Sequence, residues 1–417
     1  MRRTLLLTTL LIPLTACGEV GNLTDKLNPQ RRLPTIAPVA TQHLQPGGEV
    51  SVALSVTPPP NGTPITGMDL VNPAPDLITA TLTGTTLALK VHPSALPQGL
   101  IPITVQVHVG EEAARLRIPI EIGDLITREY GRFNAIREQA NLPAVTFDNE
   151  ASMNCWMNGR YSVVNGRLEH NQDSSLPYAS PEGQACATRS NLSMSSAAPG
   201  AIASVTPTTT RLFTAPFHAL GMLQPTQTSV GIGTYSQLDS SGRYARMGSG
   251  ITSLREGSTA GAAPMTFPGN GATTDLGRYN GGEWPDPLTA CPEFQPGSTG
   301  LPLIVSTFSA VETTATEASL TVDGQAVPVC AYGSTQYVNT KDAPGNYVGG
   351  YRSAQDIGRS LLKSSGAVFV IPKQPLEPGR TYRASVKVNG QAMAWNFKTA
   401  STLTAQSLGV VGEVQLR

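Results

Sequence analysis

Histidine side chains could carry acid–base or metal chemistry in this chain, which has only five of them among 417 residues. His218 lies in the segment TAPFHALGMLQPTQTSVGIGTY at 214–235, where many neighbouring side chains are apolar. An imidazole in such a segment can act as a general base, bind a metal ion or fill a buried core. His92 and His108 fall in predicted strands or their turns, so we expect them at the surface or at sheet edges rather than as ligands.

Sequence motifs for hydrolysis are poor. The chain has neither a Gly-x-Ser-x-Gly elbow nor a His-Glu-x-x-His motif. Ser360 to Lys363 match Ser-x-x-Lys, but the companion motifs Ser-Asp-Asn and Lys-Thr-Gly do not occur. Glu283 and Asp286 in GGEWPDP could form a carboxylate pair for glycoside cleavage. A tryptophan between glycines and prolines is more typical of a packed turn, and we interpret the segment that way.

The N-terminal segment MRRTLLLTTLLIPLTAC has the layout of a secretory signal peptide, with two arginines, an apolar run and small residues before Cys17. The apolar run is shorter than the roughly 20 residues that span a bilayer. Its Leu-x-Ala-Cys ending resembles the signal of bacterial lipoproteins, which are cleaved before a cysteine that then carries lipid. An ordinary signal peptide with a nearby cysteine is the alternative. We predict a lipoprotein signal over 1–16, lipidation at Cys17 and a tether over 17–34, which together anchor the protein in the bacterial cell envelope.

Four further cysteines predict disulfides in an exported protein, and four cysteines allow three pairings. Their spacing favours Cys155 with Cys186 and Cys291 with Cys330, because each pair closes a loop of a few tens of residues. No Cys-x-x-Cys occurs, so a zinc knuckle or a thioredoxin-type site is not supported. We therefore expect an extracytoplasmic protein with intramolecular disulfides.

Composition excludes some classes of partner. Lysine plus arginine equals aspartate plus glutamate at 29 each, and charged residues are only 14% of the chain. A neutral balance gives no reason to expect a nucleic-acid partner. The 41 glycines and 34 prolines instead indicate a loop-rich protein with much β-structure.

The pattern of apolar residues changes several times along the chain. Period-two strands separated by turn clusters predict an immunoglobulin-like β-sandwich, and similar strands with Asp-Gly and Asn-Gly hairpin signals return near the C-terminus. In between, helical periodicity begins after a predicted N-cap at Asp124, and a second helix is predicted to begin at Asp148. We predict an α+β protein divided into an Ig-like β-sandwich (35–123), a mixed α/β module (124–240), a Gly/Pro-rich connector (241–300), a second Ig-like β-sandwich (301–400) and a C-terminal tail (401–417).

The middle module resembles the CAP superfamily, which includes cysteine-rich secretory proteins, antigen 5 and plant pathogenesis-related proteins (the SCP-like domain). The segments that carry the resemblance are FNAIREQANLPAVTFDNEASMNCWMNGRYSVVNGRLEH, EGQACATRSNLS and APFHALGMLQPTQTSVGIGTY. They are similar to the first helix of the family with its Leu-Pro exit, the second helix, a loop histidine, an Asn-Leu turn, a Pro-Phe-His helix and a Val-Gly-x-Gly strand. The resemblance implies a central α-β-α sandwich with a cleft, flanked here by the two Ig-like domains.

Two histidines and two glutamates line this cleft in many members of the family, sometimes with a divalent metal. The resemblance implies that His170 and His218 are the cleft histidines and that Ser190 has replaced the first glutamate. We find no second glutamate before His218, although Glu169 and Glu182 lie nearby and could substitute. Two imidazoles are only half of a tetrahedral shell, so a zinc ion bound by His170 and His218 should be held weakly. A Ser190–His dyad lacks an acidic orienter.

These observations lead to two expectations about function. The first is a non-catalytic binding module of the envelope, with a lipid, a glycan or a protein surface as its ligand. The alternative is a weak or metal-assisted hydrolase that acts on cell-wall or extracellular polymers. The missing family glutamates favour the binding module.

Overall fold

In this computed structural model, residues 33–204, 207–253, 264–341 and 350–404 are described. The predicted signal peptide, Cys17, nearly all of the predicted tether and most of the predicted tail lie outside these ranges. The described part of the chain mixes helices with many β-sheets, so the coarse α+β prediction is confirmed. It divides into two compact units, one with 33–40, 49–90 and 103–118 and the other with 41–48, 91–102 and the described residues from 119 onward.

The N-terminal strands show the alternating exposure that the period-two pattern predicts. They are β1 (Thr35–Ile36), β2 (Gln42–Leu44), β3 (Glu49–Ala53), β4 (Val56–Thr57), β5 (Gly67–Val71), β6 (Ile78–Thr83), β7 (Thr86–Val91), β8 (Gln98–Val109) and β9 (Glu112–Ile122). In the first unit, β3, β7 and β6 form one sheet, and β5 pairs antiparallel with the C-terminal half of β8. In the second unit, β2 pairs in parallel with the end of β9.

The following segment contributes a three-stranded antiparallel sheet and five α-helices. Its elements are α1 (Leu125–Gln139), β10 (Thr146–Phe147), α2 (Asn149–Asn165), α3 (Pro181–Ala187), β11 (Ser190–Ala197), a 3-10 helix at Pro199–Ser204, α4 (Thr208–Thr214), α5 (Pro216–Met222), β12 (Ser229–Val230), β13 (Ile232–Leu238) and β14 (Ala245–Thr252). The strand order is β11-β14-β13. The central strand β14 therefore lies within the range that we predicted as a connector, 241–300.

Two helix starts show how local sequence defines this segment. Asp148 caps α2 by accepting a hydrogen bond from the Ala151 amide, so the predicted start of this helix is confirmed. Asp124 also occupies an N-cap position, but its side chain makes no capping hydrogen bond. The amide of Ile126 donates to Glu121 instead, at 2.8 Å. The predicted start of α1 is correct, but a residue of the preceding strand caps it.

Glycines allow α2 to lie directly on the sheet. A Cβ atom on Gly248 would lie 2.6 Å from the carbonyl oxygen of Gly159 on the helix. A Cβ atom on Gly233 would overlap the backbone of Ser152 and Trp156. The Val-Gly-x-Gly pattern that we noted in the sequence therefore corresponds to close backbone contact between helix and strands.

The C-terminal segment adds further sheets and one helix. Its elements are β15 (Met265–Phe267), β16 (Thr273–Thr274), β17 (Arg278–Tyr279), a 3-10 helix at Pro287–Ala290, β18 (Thr299–Gly300), β19 (Leu303–Ser306), β20 (Ala315–Val322), β21 (Gln325–Val327), β22 (Val329–Gly333), α6 (Ala354–Ser365), β23 (Ala367–Pro372), β24 (Thr381–Val388) and β25 (Gln391–Thr399). The main sheets have the orders β15-β19-β23-β22 and β16-β25-β24-β20-β21. Our prediction of strands alone over 301–400 missed α6, whose N-cap is Ser353 and whose C-cap is Gly366.

One apolar core extends through most of the second unit. It includes Phe133 on α1, Phe217 on α5 and Phe369 on β23. The rings of Phe217 and Phe369 are T-shaped, with centroids 5.1 Å apart. Residues of the predicted middle module and of the predicted C-terminal sandwich thus share a continuous core.

Both favoured disulfides, Cys155–Cys186 and Cys291–Cys330, are present. Disulfides persist in oxidising environments, so they indicate an extracytoplasmic location. Among the helices of the described ranges, none is long and apolar enough to cross a membrane.

Candidate functional site

The two predicted cleft histidines line one pocket in the second unit. The empty space of the pocket is about 620 Å³, and this figure includes solvent-filled space at its open mouth. His170, Arg211, His218 and Glu283 contribute polar side chains to its wall, and leucine, methionine and tryptophan side chains contribute apolar surface. The pocket therefore brings two imidazoles, a guanidinium and a carboxylate together.

His170 lies in the loop between α2 and α3. Its Nδ1 atom is 2.6 Å from the carbonyl oxygen of Ala187, at the end of α3. Because a carbonyl only accepts, Nδ1 carries the proton, and Nε2 of the neutral ring is left with a lone pair. Burial lowers the pKa of His170 below its usual 6.5, and the nearby His218 adds to this effect.

His218 is the third residue of α5, which begins at Pro216. Its Nδ1 atom and its backbone amide both donate to Oε1 of Glu283, each at 2.8 Å. The imidazole is 21% exposed, whereas the Glu283 side chain is fully buried. The ring orientation is therefore set by a carboxylate behind it, as in the carboxylate–histidine pairs of many functional sites.

Glu283 is the acidic partner of His218, although our sequence analysis assigned its segment to a packed turn. It follows Gly281 and Gly282, whose φ angles of 89° and 81° are strained for other residues. Burial raises the pKa of Glu283, and the hydrogen bonds from His218 and Phe217 oppose this shift. The carboxylate comes from 65 residues after His218, whereas we looked for it before His218.

Ser190, which we expected in the cleft in place of a glutamate, is not among the residues that line the pocket. Its Oγ atom lies 3.4 Å from the sulfur of Cys155 and 3.2 Å from that of Cys186. Ser190 also begins strand β11 rather than forming a turn. The next residue, Asn191, donates to the carbonyl oxygen of His218 at 3.0 Å and so connects β11 to α5.

The two glutamates that we considered as substitutes also lie elsewhere. Glu169 accepts a hydrogen bond from the Tyr161 hydroxyl and lies 3.8 Å from Arg167. Glu182 is an exposed residue in the first turn of α3. Of these glutamates and Glu283, only Glu283 is among the residues that line the pocket.

The donor set does not fit a zinc site. Within the described ranges, no group of three or more histidine, cysteine, aspartate or glutamate residues could hold a metal ion. His170 and His218 supply two imidazoles, and Oε1 of Glu283 already accepts the His218 Nδ1–H bond. Zinc in proteins takes three or four protein ligands, so we derive no chemistry through a metal here.

Other candidate residues lie outside the pocket. His92 is exposed and bonds Ser94, while His108 lies 2.8 Å from Asp69. Ser360 bonds Tyr351, and Lys363 bonds Glu312, so the Ser-x-x-Lys match on α6 does not form a hydrogen-bonded catalytic pair.

Comparisons with known proteins give no family for this chain. No family model matches it, and no curated protein matches it. Among solved structures, a titin domain aligns at 12% identity and a TM-score of 0.17, covering 22% of this chain and 95% of the titin chain. An endo-fucoidan hydrolase of glycoside hydrolase family 107 aligns at 7% identity and a TM-score of 0.19, covering 89% of this chain and 44% of the hydrolase. An ectodomain fragment of ICAM-5 aligns at 11% identity and a TM-score of 0.17, covering 88% of this chain and 77% of the fragment. Scores this low carry no argument about fold or function.

Proposed function

We propose that this protein is a lipid-anchored envelope protein of the CAP superfamily whose pocket binds a ligand without catalysing a reaction. The observation that carries the proposal is the pair His170 and His218 in one pocket. Both rings are held through Nδ1, by a carbonyl and by a carboxylate. This arrangement leaves the two Nε2 atoms available to a ligand.

The order of elements supports the CAP assignment. The helix α1 leads through Leu142-Pro143 to α2, and His170 follows in the next loop. The strand β11, the helix α5 with His218 and the strand β13 then follow in the order that the resemblance implies. Glu283, from the segment after this module, takes the place of the family carboxylates in this proposal.

The hydrogen bonds in the pocket favour binding over nucleophilic catalysis. A serine or cysteine nucleophile needs a base within hydrogen-bond distance. In the described part of the chain, neither imidazole is bonded to a hydroxyl or a thiol. Ser193 lines the pocket, but its Oγ atom accepts from Arg211.

One observation favours the alternative, a weak hydrolase. A buried carboxylate on Nδ1 strengthens an imidazole as a general base, because it stabilises the imidazolium that forms when the base takes a proton. The pair of His218 and Glu283 has this arrangement. A water molecule that gives a proton to Nε2 would then attack a bound polymer, and that proton would pass to the leaving group as the scissile bond breaks.

Native mass spectrometry of protein released from its own envelope tests the binding proposal. We expect a mass adduct on the wild type that the variant His170→Ala/His218→Ala lacks, while the exposed control His92→Ala retains it. Assays of peptidoglycan and extracellular polysaccharide should show no hydrolysis by any of the three proteins. Hydrolysis by the wild type that Glu283→Gln abolishes would favour the enzyme instead.

Lipid anchoring requires a separate test. Cells that express the full chain with labelled palmitate should label the wild type, and the variant Cys17→Ser should be unlabelled and released from the membrane fraction. The lipid chains bind the membrane by burying their methylene groups, and the Cys17 thiol is the group that carries them. Loss of this one thiol should therefore remove the anchor. Membrane retention of the Cys17→Ser variant would contradict the lipoprotein proposal.

A further inference from the structure

Arg211 is a charged pocket residue that the proposed function does not yet use. It lies on α4, and its Nη2 atom donates to Ser193 Oγ at 3.0 Å and to Thr208 Oγ1 at 3.4 Å. Both acceptors are neutral hydroxyls. Its Nε atom is buried and makes no hydrogen bond to any residue of the described ranges. The guanidinium therefore has donor capacity left in a pocket wall.

No carboxylate that the structure describes forms an ion pair with Arg211. Glu129 is the acidic residue whose charge acts on it, but the oxygens of Glu129 accept the amides of Thr208 and Thr209 at 2.7 and 2.8 Å. Glu283 is held by His218. The positive charge of Arg211 is thus only partly compensated within the protein.

An incompletely paired cation that is largely removed from water is unfavourable. Burial lowers the pKa of Arg211, and the attraction of Glu129 opposes this shift only in part. An oxyanion in the pocket would supply the missing charge and accept a charge-assisted hydrogen bond. Guanidinium groups suit carboxylates and phosphates because their donors are planar and fixed.

We infer that Arg211 forms an oxyanion subsite, so that the ligand of this pocket carries a carboxylate or a phosphate group. The inference rests on the proposed binding function and narrows its ligand class. Leu168, Leu192, Met194, Leu212 and Trp284 line the same pocket. The ligand therefore combines the anionic group with a small apolar part.

Four probes with the same hexyl chain test the inference: heptanoate, hexyl phosphate, hexanol and hexylammonium, each titrated calorimetrically at constant ionic strength. We expect the two anions to bind and the alcohol and the amine to bind more weakly. The stronger of the two anions identifies carboxylate or phosphate as the preferred group. Equal binding of hexanol and the anions would overturn the inference while leaving a ligand pocket in place.

Variants locate the subsite. Arg211→Gln should weaken anion binding about tenfold or more, as expected for loss of a charged hydrogen bond. Arg243→Gln removes the same charge from an exposed turn and should leave binding unchanged. Arg211→Lys keeps the charge but lacks the planar donors, so it should bind the anions with part of the wild-type affinity. This variant replaces Arg211→Gln in the test if Arg211→Gln does not fold.

The double histidine variant separates the two proposals. If Arg211→Gln leaves anion binding intact and His170→Ala/His218→Ala abolishes it, the anion binds in the pocket but not at Arg211. This result would overturn the oxyanion subsite and keep the binding proposal. Anion binding that neither variant changes would place the anion outside the pocket and overturn the oxyanion inference, while the mass adduct remains the test of the binding proposal. Failure of both anions to bind the wild type would overturn the oxyanion inference alone.

Discussion

At the scale of single residues, the chemical properties of the two pocket histidines depend on the acceptor that each ring bonds through Nδ1. The carbonyl of Ala187 cannot take a proton, whereas the carboxylate of Glu283 can stabilise an imidazolium. The two rings are therefore chemically different although both line one pocket. His170 is suited to accept a hydrogen bond at Nε2 as a neutral ring, whereas the ring of His218 is oriented by a buried carboxylate.

This difference predicts a pH dependence of stability from His170. Its pKa in the folded protein lies below 6.5, the ordinary value. Between those two values the unfolded chain binds a proton that native His170 does not, so stability falls as the pH is lowered below about 6.5 and is fully present above it. In urea unfolding, the free energy of unfolding of His170→Gln should lack this part of the dependence on pH. The exposed control His92→Gln should keep it, and equal slopes for wild type and His170→Gln would contradict the prediction.

Glu283 should matter for stability as well as for the site. In Glu283→Ala the amide and the Nδ1 atom of His218 lose their acceptor inside the protein. Breaking a buried pair in this way costs about 3 to 5 kcal/mol of unfolding free energy. Glu283→Gln retains a carbonyl acceptor and should cost less. Urea midpoints at pH 7 measure both, and equal losses would show that hydrogen bonding is not the cause.

The sequence predicted the histidines of this site but not its carboxylate. His170 and His218 each sit in a segment with recognisable neighbours, so their positions could be inferred from the resemblance. Glu283 follows two positive-φ glycines, and its carboxylate meets His218 on α5. His218, the partner of Glu283, lies 65 positions earlier in the chain. The residues around Glu283 therefore do not indicate that it contacts a histidine.

At the scale of elements, glycines on β13 and β14 determine how closely α2 approaches the sheet. Local signals were sufficient for the start of α2, because its cap is Asp148. They also gave the start of α1, but Glu121 of the preceding strand, not Asp124, accepts the hydrogen bond from its first turn. The helix α6 has local start and stop signals in Ser353 and Gly366, which our sequence analysis did not use. The central strand β14 lies in glycine-rich and serine-rich sequence and is stabilised by its pairing with β11 and β13, which a local pattern does not contain.

The helix–sheet contact makes a specific prediction. In Gly233→Ala a methyl group would overlap the backbone of α2, so helix and strand must separate. Overpacking of this kind costs about 1 to 3 kcal/mol. Gly131→Ala is the matched control, because a methyl group at this exposed position on α1 meets nothing within 4 Å. Urea unfolding should show a loss only for Gly233→Ala, and equal stability of the two variants would argue against close backbone packing.

At the scale of the molecule, the second unit connects the pocket to the C-terminal sheets. Phe217 immediately precedes His218 and contacts Tyr337 and Phe369, with ring centroids 5.2 and 5.1 Å away. The sequence pattern assigns the pocket helices and the C-terminal strands to separate domains because their periodicities differ. Periodicity does not show which apolar faces pack against each other. The position of His218 therefore depends on strands more than a hundred residues later.

This dependence predicts that a change on β23 destabilises the sheet beside the pocket. Phe369 is fully buried, and Phe369→Ala should lower the free energy of unfolding by about 3 to 5 kcal/mol. Hydrogen exchange should speed up in β13 as well as in β23 to β25, because one cooperative core spans them. Val311→Ala truncates an exposed side chain of the same segment and should change neither. Unchanged exchange in β13, with faster exchange confined to β23 to β25, would mean that the two regions unfold independently and that His218 is positioned without help from the C-terminal sheets.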